Sequence, residues 1–362
     1  MKYSLKVFFC RVSLYVLPFL AVGCGTLGPS AIKGERINYN SAIQRSNDEQ
    51  LLLNLVRLKY RDTPFFMEVT SVSSQLTFST SAEANVTIPE KAGKILGLGG
   101  GAALTEKPTV TYTPLQGEKF IQHLLTPVQL DTILLLYHSG WSVKRILHLC
   151  LQRINGIKNA PSASGPTPAG VPIYKDFVHV ANLLRVLQSR DALDIAYEER
   201  EGSSRVVLRL DQEALDWKEV RKLTNFLKIA PGKTSYVLTT DPLSKALDQI
   251  IIEPRSLLGI MFYLSQSVEA PARDQDKITI TQHPSGEPFH WNQVTGEILT
   301  IHSLPTSPEQ ASVAVEYRGS WFYINDSDLT SKSTFSLLSQ LFALQAGKIK
   351  SQSPILTLPI GQ

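Results

Sequence analysis

Cysteine is scarce in this sequence: the 362 residues include only three, at positions 10, 24 and 150. A framework of several disulfides is therefore excluded, and so is a zinc site built from four thiolates. An excess of one charge is also missing, because 36 basic residues stand against 32 acidic ones and give a formal net charge of +4. Such a chain has no basic field for nucleic acid, so we expect no nucleic-acid partner.

The motifs of nucleotide and metal chemistry are missing as well. No glycine-rich run ends in Gly-Lys-Ser/Thr, and neither Gly-x-Ser-x-Gly nor His-Glu-x-x-His occurs. Gly97 to Ala102 matches a loose Gly-x-Gly-x-x-Ala pattern, but the nearby Pro108 is incompatible with the helix that a dinucleotide site needs. No two histidines have the spacing that places two metal ligands on one helix face. We therefore expect no metal, no cofactor and no enzymatic activity.

No hydrophobic run at the N-terminus is long enough to span a bilayer. Val12 to Val22 form an apolar stretch, whereas a membrane helix needs roughly 20 apolar residues. Lys2, Lys6 and Arg11 precede this stretch and small residues follow it, an arrangement typical of a signal peptide, which we predict over residues 1–23. Removing these three basic residues would lower the net charge from +4 to +1.

The end of this segment, Leu20-Ala-Val-Gly-Cys24, resembles the bacterial lipobox. The resemblance implies that the thiol of Cys24 carries lipid, that the peptide is cut between Gly23 and Cys24, and that the new amino group receives a further acyl chain such as palmitate. The favoured leucine stands one position early, since Ala21 occupies its usual place. An ordinary secretory peptide with a chance cysteine and an uncleaved membrane anchor are the alternatives.

The residue after Cys24 bears on localisation. It is Gly25 rather than aspartate, and by resemblance to sorted lipoproteins this favours the outer membrane, with the chain on the periplasmic side. The lipobox resemblance implies two acyl chains on the thiol and one on the amino group, and these three chains exceed the two signals that stable anchoring requires. With Cys10 removed and Cys24 lipidated, Cys150 is the last thiol, and its mostly apolar helical surroundings predict a buried, inert side chain. The neighbouring His148 is predicted to be a core histidine with satisfied hydrogen bonds.

The most unusual pattern is a long alternation of apolar and polar residues. It runs over 17 residues from Val72 to Ile88, far beyond the usual strand of about 5–6 residues, and resumes after Lys94 as far as Tyr112. Folding about position 92 places both apolar sets on one side, which predicts one long amphipathic β-hairpin at about 72–112. Its proposed membrane or packing face consists of Leu76, Phe78, Val86, Ile88, Leu96, Leu98 and Leu104.

Two interpretations of this hairpin remain open. The hairpin could cover the protein's own helices, or hairpins from several copies could join in an outer-membrane pore or export component, similar in pattern to the curli-export lipoprotein channels. A membrane-spanning strand needs about 9–11 residues and alternates apolar with polar residues, as this one does. An open sheet edge is not tolerated in lipid, so insertion would require several copies.

The remaining sequence predicts an α+β fold. We expect a tether over 24–38, a helical region carrying the hairpin over 39–158, a linker rich in proline and glycine over 159–172, and an α+β domain over 173–362. A capping box at Ser46 and Glu49 predicts the start of the first helix, and Arg61-Asp-Thr-Pro64 its end. Later helices are predicted near 175–189, 212–227, 254–265 and 331–346, and strands near 193–198, 205–210, 236–240, 277–281, 312–317, 321–324 and 355–358.

A few polar residues could carry chemistry. Asp326 and Asp328 are catalytic in type, but they also suit the N-terminal cap of the closing helix, which we favour. His283 and His290 flank a Pro-Ser-Gly turn and could meet across it, although a solvated loop is favoured. An envelope hydrolase whose residues converge only in three dimensions is therefore an alternative function. A cleft lined by the two aspartates and a histidine would support it, whereas a groove of apolar residues would favour a binding module.

Several blocks together resemble a family of uncharacterised proteobacterial envelope lipoproteins. They are Tyr39-Asn-Ser-Ala-Ile43, the run from Glu49 to Leu58, Pro108 to Gly117, and Trp321 to Asp326 with Ser331 to Phe335. The resemblance covers most of the chain and implies localisation but no activity. The sequence thus predicts a lipid-anchored protein with a structural, assembly or interaction role, whose partner is the membrane together with another protein or further copies of itself.

Overall fold

The computed structural model describes residues 27–87, 95–166, 168, 170–200, 202–346 and 356–359, with side-chain environments for 37–73, 109–166, 168, 170–199 and 202–345. The chain divides into two compact units, Met1–Gln50 and Leu51–Gln362. Among the helices of the described ranges, none is both long and apolar enough to cross a bilayer. The fold class is α+β, as the sequence predicts.

Helix α1 spans Leu27–Lys59. The described part of the predicted tether is therefore helical, and the predicted start at Ser46 is wrong. An ion pair of 2.9 Å between Arg45 and Glu49, one helical turn apart, favours helix at this point instead. The end of α1 agrees with the prediction, because Arg61 adopts a left-handed φ of 62° just before the Asp62-Thr-Pro turn.

Within the second unit, the last turns of α1 are deeply buried. Leu52, Leu55 and Val56 are inaccessible to solvent and form one apolar face of the helix. Asn54 is equally buried, and its amide exchanges two hydrogen bonds of 2.8 and 2.9 Å with the backbone of Phe65. These two bonds fix the chain as it leaves the helix and enters the hairpin.

The predicted hairpin is confirmed and is longer than expected. Strands β1 (Phe66–Thr87) and β2 (Ile95–Leu115) pair antiparallel, with a register shift between Val69 and Ser71. Val72 lies opposite Val110, so the strands fold back about position 91, one residue earlier than the predicted position 92. The last described strand, β12 (Leu356–Pro359), pairs with Thr109–Tyr112 of β2 and makes the sheet three-stranded at that point.

The body contains a six-stranded mixed sheet. Its spatial order is β4 (Ile157–Lys158), β3 (Leu151–Ile154), β8 (Gln249–Pro254), β7 (Ser235–Thr239), β6 (Ser203–Leu210) and β5 (Leu193–Arg200). Strands β7 and β8 at its centre are parallel, and the other neighbouring pairs are antiparallel. The sheet takes strands from both sides of segment 159–172, and within that segment Asn159, Ala160 and Ala163 are fully buried.

Helices surround this sheet. They are α2 (Glu118–Leu125), α3 (Leu130–His138), α4 (Val143–Cys150), α5 (Lys175–Ser189), α6 (Lys218–Leu227), α7 (Leu257–Ser265) and the short α8 (Asn292–Thr295). Short 3-10 turns occupy Pro161–Ser164, Gln212–Ala214 and Ala272–Lys277. Helix α5 packs against α4 and α6, and α7 packs against α2 and α4. The apolar faces of these elements form one continuous core.

A second small sheet closes the body. Strands β10 (Ala311–Tyr317) and β11 (Ser320–Asn325) form a hairpin, and β9 (His302–Leu304) pairs with β11. Helix α9 (Leu329–Ala346) follows and buries Leu337, Leu338 and Leu341. The strand predicted near 277–281 is wrong, because a 3-10 helix continues to Lys277 and the residues after it join no described sheet.

Candidate functional site

The predicted lipid site, Gly23 and Cys24, lies outside the described residues. Of the predicted hairpin face, Ile88 also lies outside them. The register sets Phe78 opposite Leu104 and Val86 opposite Leu96. Leu76 lies opposite Glu106, and Leu98 lies opposite Ala84. The register thus sets two pairs of predicted face positions opposite each other, while Leu98 faces the apolar Ala84 and Leu76 faces the acidic Glu106.

The base of the hairpin is joined to the body through aromatic packing. Phe66, at the start of β1, packs against Phe120 of α2 with 5.8 Å between ring centroids, and against Phe342 of α9 at 4.7 Å. Above the base, from Ser73 to Thr87 and from Ile95 to Pro108, no third strand of the described residues pairs with either β1 or β2. Among the described residues, the outer edges of both strands therefore have no strand partner over most of the hairpin.

A second candidate site is a cleft in the body, at the end of α1. Lys59 is the last residue of the helix, and only 9% of its surface is accessible. Its ammonium Nζ lies 3.4 Å from Oε1 of Gln266, and no carboxylate among the described residues lies within ion-pair distance. Burial lowers the pKa of Lys59 to about 8. An isolated buried ammonium is costly unless an anion, a polar group or water solvates it.

We call the space beside this ammonium the Lys59 cleft. It has a volume of about 530 Å³, within the range of small-molecule sites. Its walls come mainly from the segments 266–270, 278–281 and 288–300. The apolar residues lining it are Val268, Ala270, Ile278, Ile280, Pro288, Phe289, Trp291 and Leu299.

The walls of the cleft are held by a few specific contacts. Trp291 Nε1 donates a hydrogen bond of 3.0 Å to Thr281 Oγ1, and the backbone N–H of Phe289 donates to the carbonyl of Thr281 at 2.7 Å. Phe289 and Trp291 meet edge to face with centroids 5.5 Å apart. Two aromatic rings are thus fixed against one extended segment.

One carboxylate lies at the rim. Glu269 lines the cleft, but its Oε2 lies 3.0 Å from Nδ1 of His302 and its side chain is 54% exposed. The backbone around Glu269 is anchored to Ile301 by hydrogen bonds of 2.9 and 3.1 Å. The negative charge therefore sits in solvent beside a histidine, while the buried positive charge of Lys59 has no such partner.

A third cluster is buried and closed. Arg255, His148 and Cys150 are each at most 3% exposed. The predicted burial of the Cys150 thiol is confirmed, and this burial raises its pKa to about 12. His148 lies in the core as predicted, but no group of the described residues hydrogen-bonds to either ring nitrogen, so these residues do not supply the expected partners. Its ring instead meets Phe177 edge to face at 5.5 Å.

The two aspartates near the closing helix both contact groups of that helix. Asp328 accepts backbone N–H bonds of 3.1 and 3.0 Å from Thr330 and Ser331, which confirms the predicted helix cap. Asp326 forms an ion pair of 2.6 Å with Lys332. Neither aspartate lines the Lys59 cleft. His290 lines it from an exposed position, and His283 packs against Phe289.

Sequence reasoning missed Lys59, although a signal was present. The residue stands three and four positions after Val56 and Leu55, so it continues the apolar face of α1. A lysine at such a position predicts either a buried ammonium or a side chain whose charged end reaches solvent. The burial of Lys59 depends on residues far along the chain, such as Gln266, which the local pattern does not reveal.

No protein-family model matches the chain, and neither a curated protein nor a solved structure matches it. Within the part of the chain that the structure describes, no group of three or more His, Cys, Asp or Glu residues could hold a metal ion.

Proposed function

We propose that this chain is a lipoprotein of the outer membrane, anchored through Cys24 on the periplasmic side, with a non-enzymatic assembly role. The support for the anchor is the sequence Leu20-Ala-Val-Gly-Cys24 behind a basic and apolar segment. The support for assembly is the hairpin formed by β1 and β2, with 22 and 21 residues.

The single observation that supports the assembly role is that these strands pair along their length while no third strand of the described residues pairs with them above the base. An isolated two-stranded hairpin is marginally stable in water, and an exposed strand edge is a template for pairing with another chain. Every copy of this protein carries both edges. A second copy of the same hairpin therefore satisfies the unpaired backbone groups in a way that the described residues of one copy do not.

The two strands are long enough to span a membrane. At about 3.3 Å per residue, 22 residues reach about 70 Å. The continuous register from Ser71 to Thr87 is longer than the 9–11 residues of a membrane strand. This observation favours a second candidate function, in which several hairpins join in an outer-membrane pore or export component.

The non-enzymatic interpretation rests on what the polar residues contact. Asp326 and Asp328, the predicted alternative for a hydrolase, are engaged by Lys332 and by the start of α9. The Lys59 cleft has mainly apolar walls, which favours binding over hydrolysis.

The mass of the purified, detergent-extracted chain, measured by light scattering with detergent subtraction, tests the proposal. We expect more than one copy per particle. The matched variant replaces residues 76–106 by Asn-Gly, which joins the register partners Gln75 and Lys107 through a favoured two-residue turn. This variant should retain the circular dichroism spectrum of the body and become monomeric.

A shorter replacement of residues 84–98, which joins the partners Glu83 and Gly99, provides a graded control. We expect weaker association than in the full chain. A monomeric full chain, or unchanged association in both variants, would contradict the assembly role. A ring of many copies that conducts ions in a planar bilayer would select the pore.

A further inference from the structure

We propose that the Lys59 cleft binds a small monocarboxylate with an apolar body. This ligand site is separate from the hairpin and does not depend on the assembly role. Its two parts are the buried ammonium of Lys59 and the aliphatic and aromatic walls around Ile280, Phe289 and Trp291.

The charge of the ligand follows from the surroundings of Lys59. An ammonium has three donors, and the contact to Gln266 Oε1 at 3.4 Å uses one of them weakly. Because Gln266 directs its amide nitrogen to the carbonyl of Phe262 at 3.3 Å, the amide is held with its oxygen toward Lys59. A carboxylate oxygen near this ammonium would supply the missing charge and a stronger, charge-assisted hydrogen bond.

The preference for one negative charge follows from the rest of the lining. Lys59 is the only lysine or arginine that lines the cleft among the described residues, and Glu269 stands at its rim. A second negative charge would meet that carboxylate without a second cation. A monoanion fits the single buried charge, whereas a phosphate ester or a dicarboxylate does not.

The apolar body follows from the walls. Trp291 and Phe289 are 6% and 7% exposed. The indole of Trp291 is held by its hydrogen bond to Thr281, and the ring of Phe289 packs edge to face against that indole. Ile280 is 38% exposed at the same cleft. Covering such a surface removes apolar area from water, and rigid walls reduce the entropy lost on binding. The walls therefore select a ligand that carries carbon atoms behind its carboxylate.

Calorimetric titration of residues 25–362, which include every described residue, tests this site without detergent. The probes are octanoate, the neutral octanol, the aromatic acid 3-phenylpropanoate, and acetate. We expect octanoate or 3-phenylpropanoate to bind at least about 10-fold more tightly than octanol and acetate, because only these acids combine the charge with an apolar body. The ratio between the two acids tells whether the body is aliphatic or aromatic.

Two variants locate the binding, and two others control for general effects. Lys59→Met should weaken the acid at least about 10-fold, while Lys175→Met, at an exposed lysine of α5, should leave it unchanged. Ile280→Glu places a carboxylate at an exposed position of the wall, where it should not disturb the fold. This variant therefore tests the site even if Lys59→Met unfolds. It should abolish binding, whereas Ile280→Gln should reduce it far less.

Equal affinity for octanol and octanoate would overturn the proposal, as would undiminished binding of the acid by Lys59→Met or by Ile280→Glu. The proposal would also be overturned if neither acid bound to the protein at millimolar concentration. In that case Lys59 is a structural lysine solvated by Gln266 and water alone.

Discussion

The guanidinium carbon of Arg255 lies 4.1 Å from the ring centroid of Tyr263, and both residues are fully buried. The guanidinium also donates to the carbonyl of His148 at 2.9 Å and to Ser164 Oγ at 2.8 Å. Further bonds reach the carbonyls of Leu151 and Asn159. A cation therefore occupies the C-terminal end of α4, where the partial negative charge of a helix resides.

This arrangement predicts a large cost for Arg255→Met. The substitution leaves several buried carbonyls without a donor, and each unsatisfied group costs about 1–3 kcal/mol. We expect a loss of about 3–5 kcal/mol in the free energy of unfolding, measured by urea titration. Arg153→Met, which breaks a half-exposed ion pair with Glu253, is the control and should cost under about 1 kcal/mol. A similar small cost for both variants would show that the Arg255 bonds contribute little.

The burial of His148 predicts that the free energy of unfolding depends on pH. Burial, with a smaller contribution from the positive charges of Lys144 and Arg255, lowers the pKa of His148 to about 3. In the unfolded chain a histidine takes up a proton near pH 6.5, so below that pH the unfolded state binds more protons than the folded one. Stability should therefore fall by about 1.4 kcal/mol for each pH unit below about 6.5.

The measurement is the free energy of unfolding between pH 5 and 7.5. We expect His148→Leu to flatten the slope in this range, while His138→Gln, at an exposed histidine, should leave it unchanged. An unchanged slope in His148→Leu would mean that other groups dominate the acid sensitivity.

The burial of Cys150 predicts that its thiol reacts slowly with labelling reagents in the folded protein. Its side chain is inaccessible, and burial raises its pKa to about 12, so the reactive thiolate is rare in the folded state. In a chain from residue 25 this is the one cysteine. A colourimetric disulfide reagent should react at the rate of unfolding, and denaturant should release one equivalent at once. Rapid labelling without denaturant would show local opening at the end of α4.

The sequence predicted elements that depend on local pattern. The alternation around Phe78 gave the hairpin, and the helix predicted at 175–189 is found as Lys175–Ser189. The pattern did not predict β3 and β4, which lie at the end of the helical region predicted over 39–158. The missed signal was Asn155-Gly156, whose φ values of 44° and 76° form the turn between these strands.

The candidate sites in the body could not be predicted from the sequence, because they are formed by contacts between residues that lie far apart in it. Proline and glycine in segment 159–172 predicted irregular backbone, but the same composition suits a solvated or a buried segment. Asn159 shows the difference, because its amide donates to the carbonyls of His148 and Leu151 at 3.0 and 2.8 Å. Likewise, Lys59 meets Gln266 across 207 positions of sequence, a distance that no motif spans.

Tyr60, the residue after Lys59, anchors the end of α1, so its contacts should also hold Lys59 in place. The hydroxyl of Tyr60 donates a hydrogen bond of 2.8 Å to Asp274 Oδ2, and Lys277 holds the other oxygen of this carboxylate at 2.5 Å. The bond to Lys277, reinforced by that to Tyr60, lowers the pKa of Asp274 although burial opposes it. This network attaches the end of α1 to the 3-10 helix beside the cleft.

We therefore expect Asp274→Leu to destabilise the protein by about 2–4 kcal/mol, because it leaves the buried tyrosine hydroxyl without an acceptor. Tyr60→Phe alone should cost less, and the double variant should recover part of the loss, since the orphaned hydroxyl is then absent. Urea titration of the four chains gives the coupling energy, expected at about 1–3 kcal/mol. Strict additivity of the two single costs would mean that Asp274 acts through Lys277 alone, and that the end of α1 is held instead by its buried leucines.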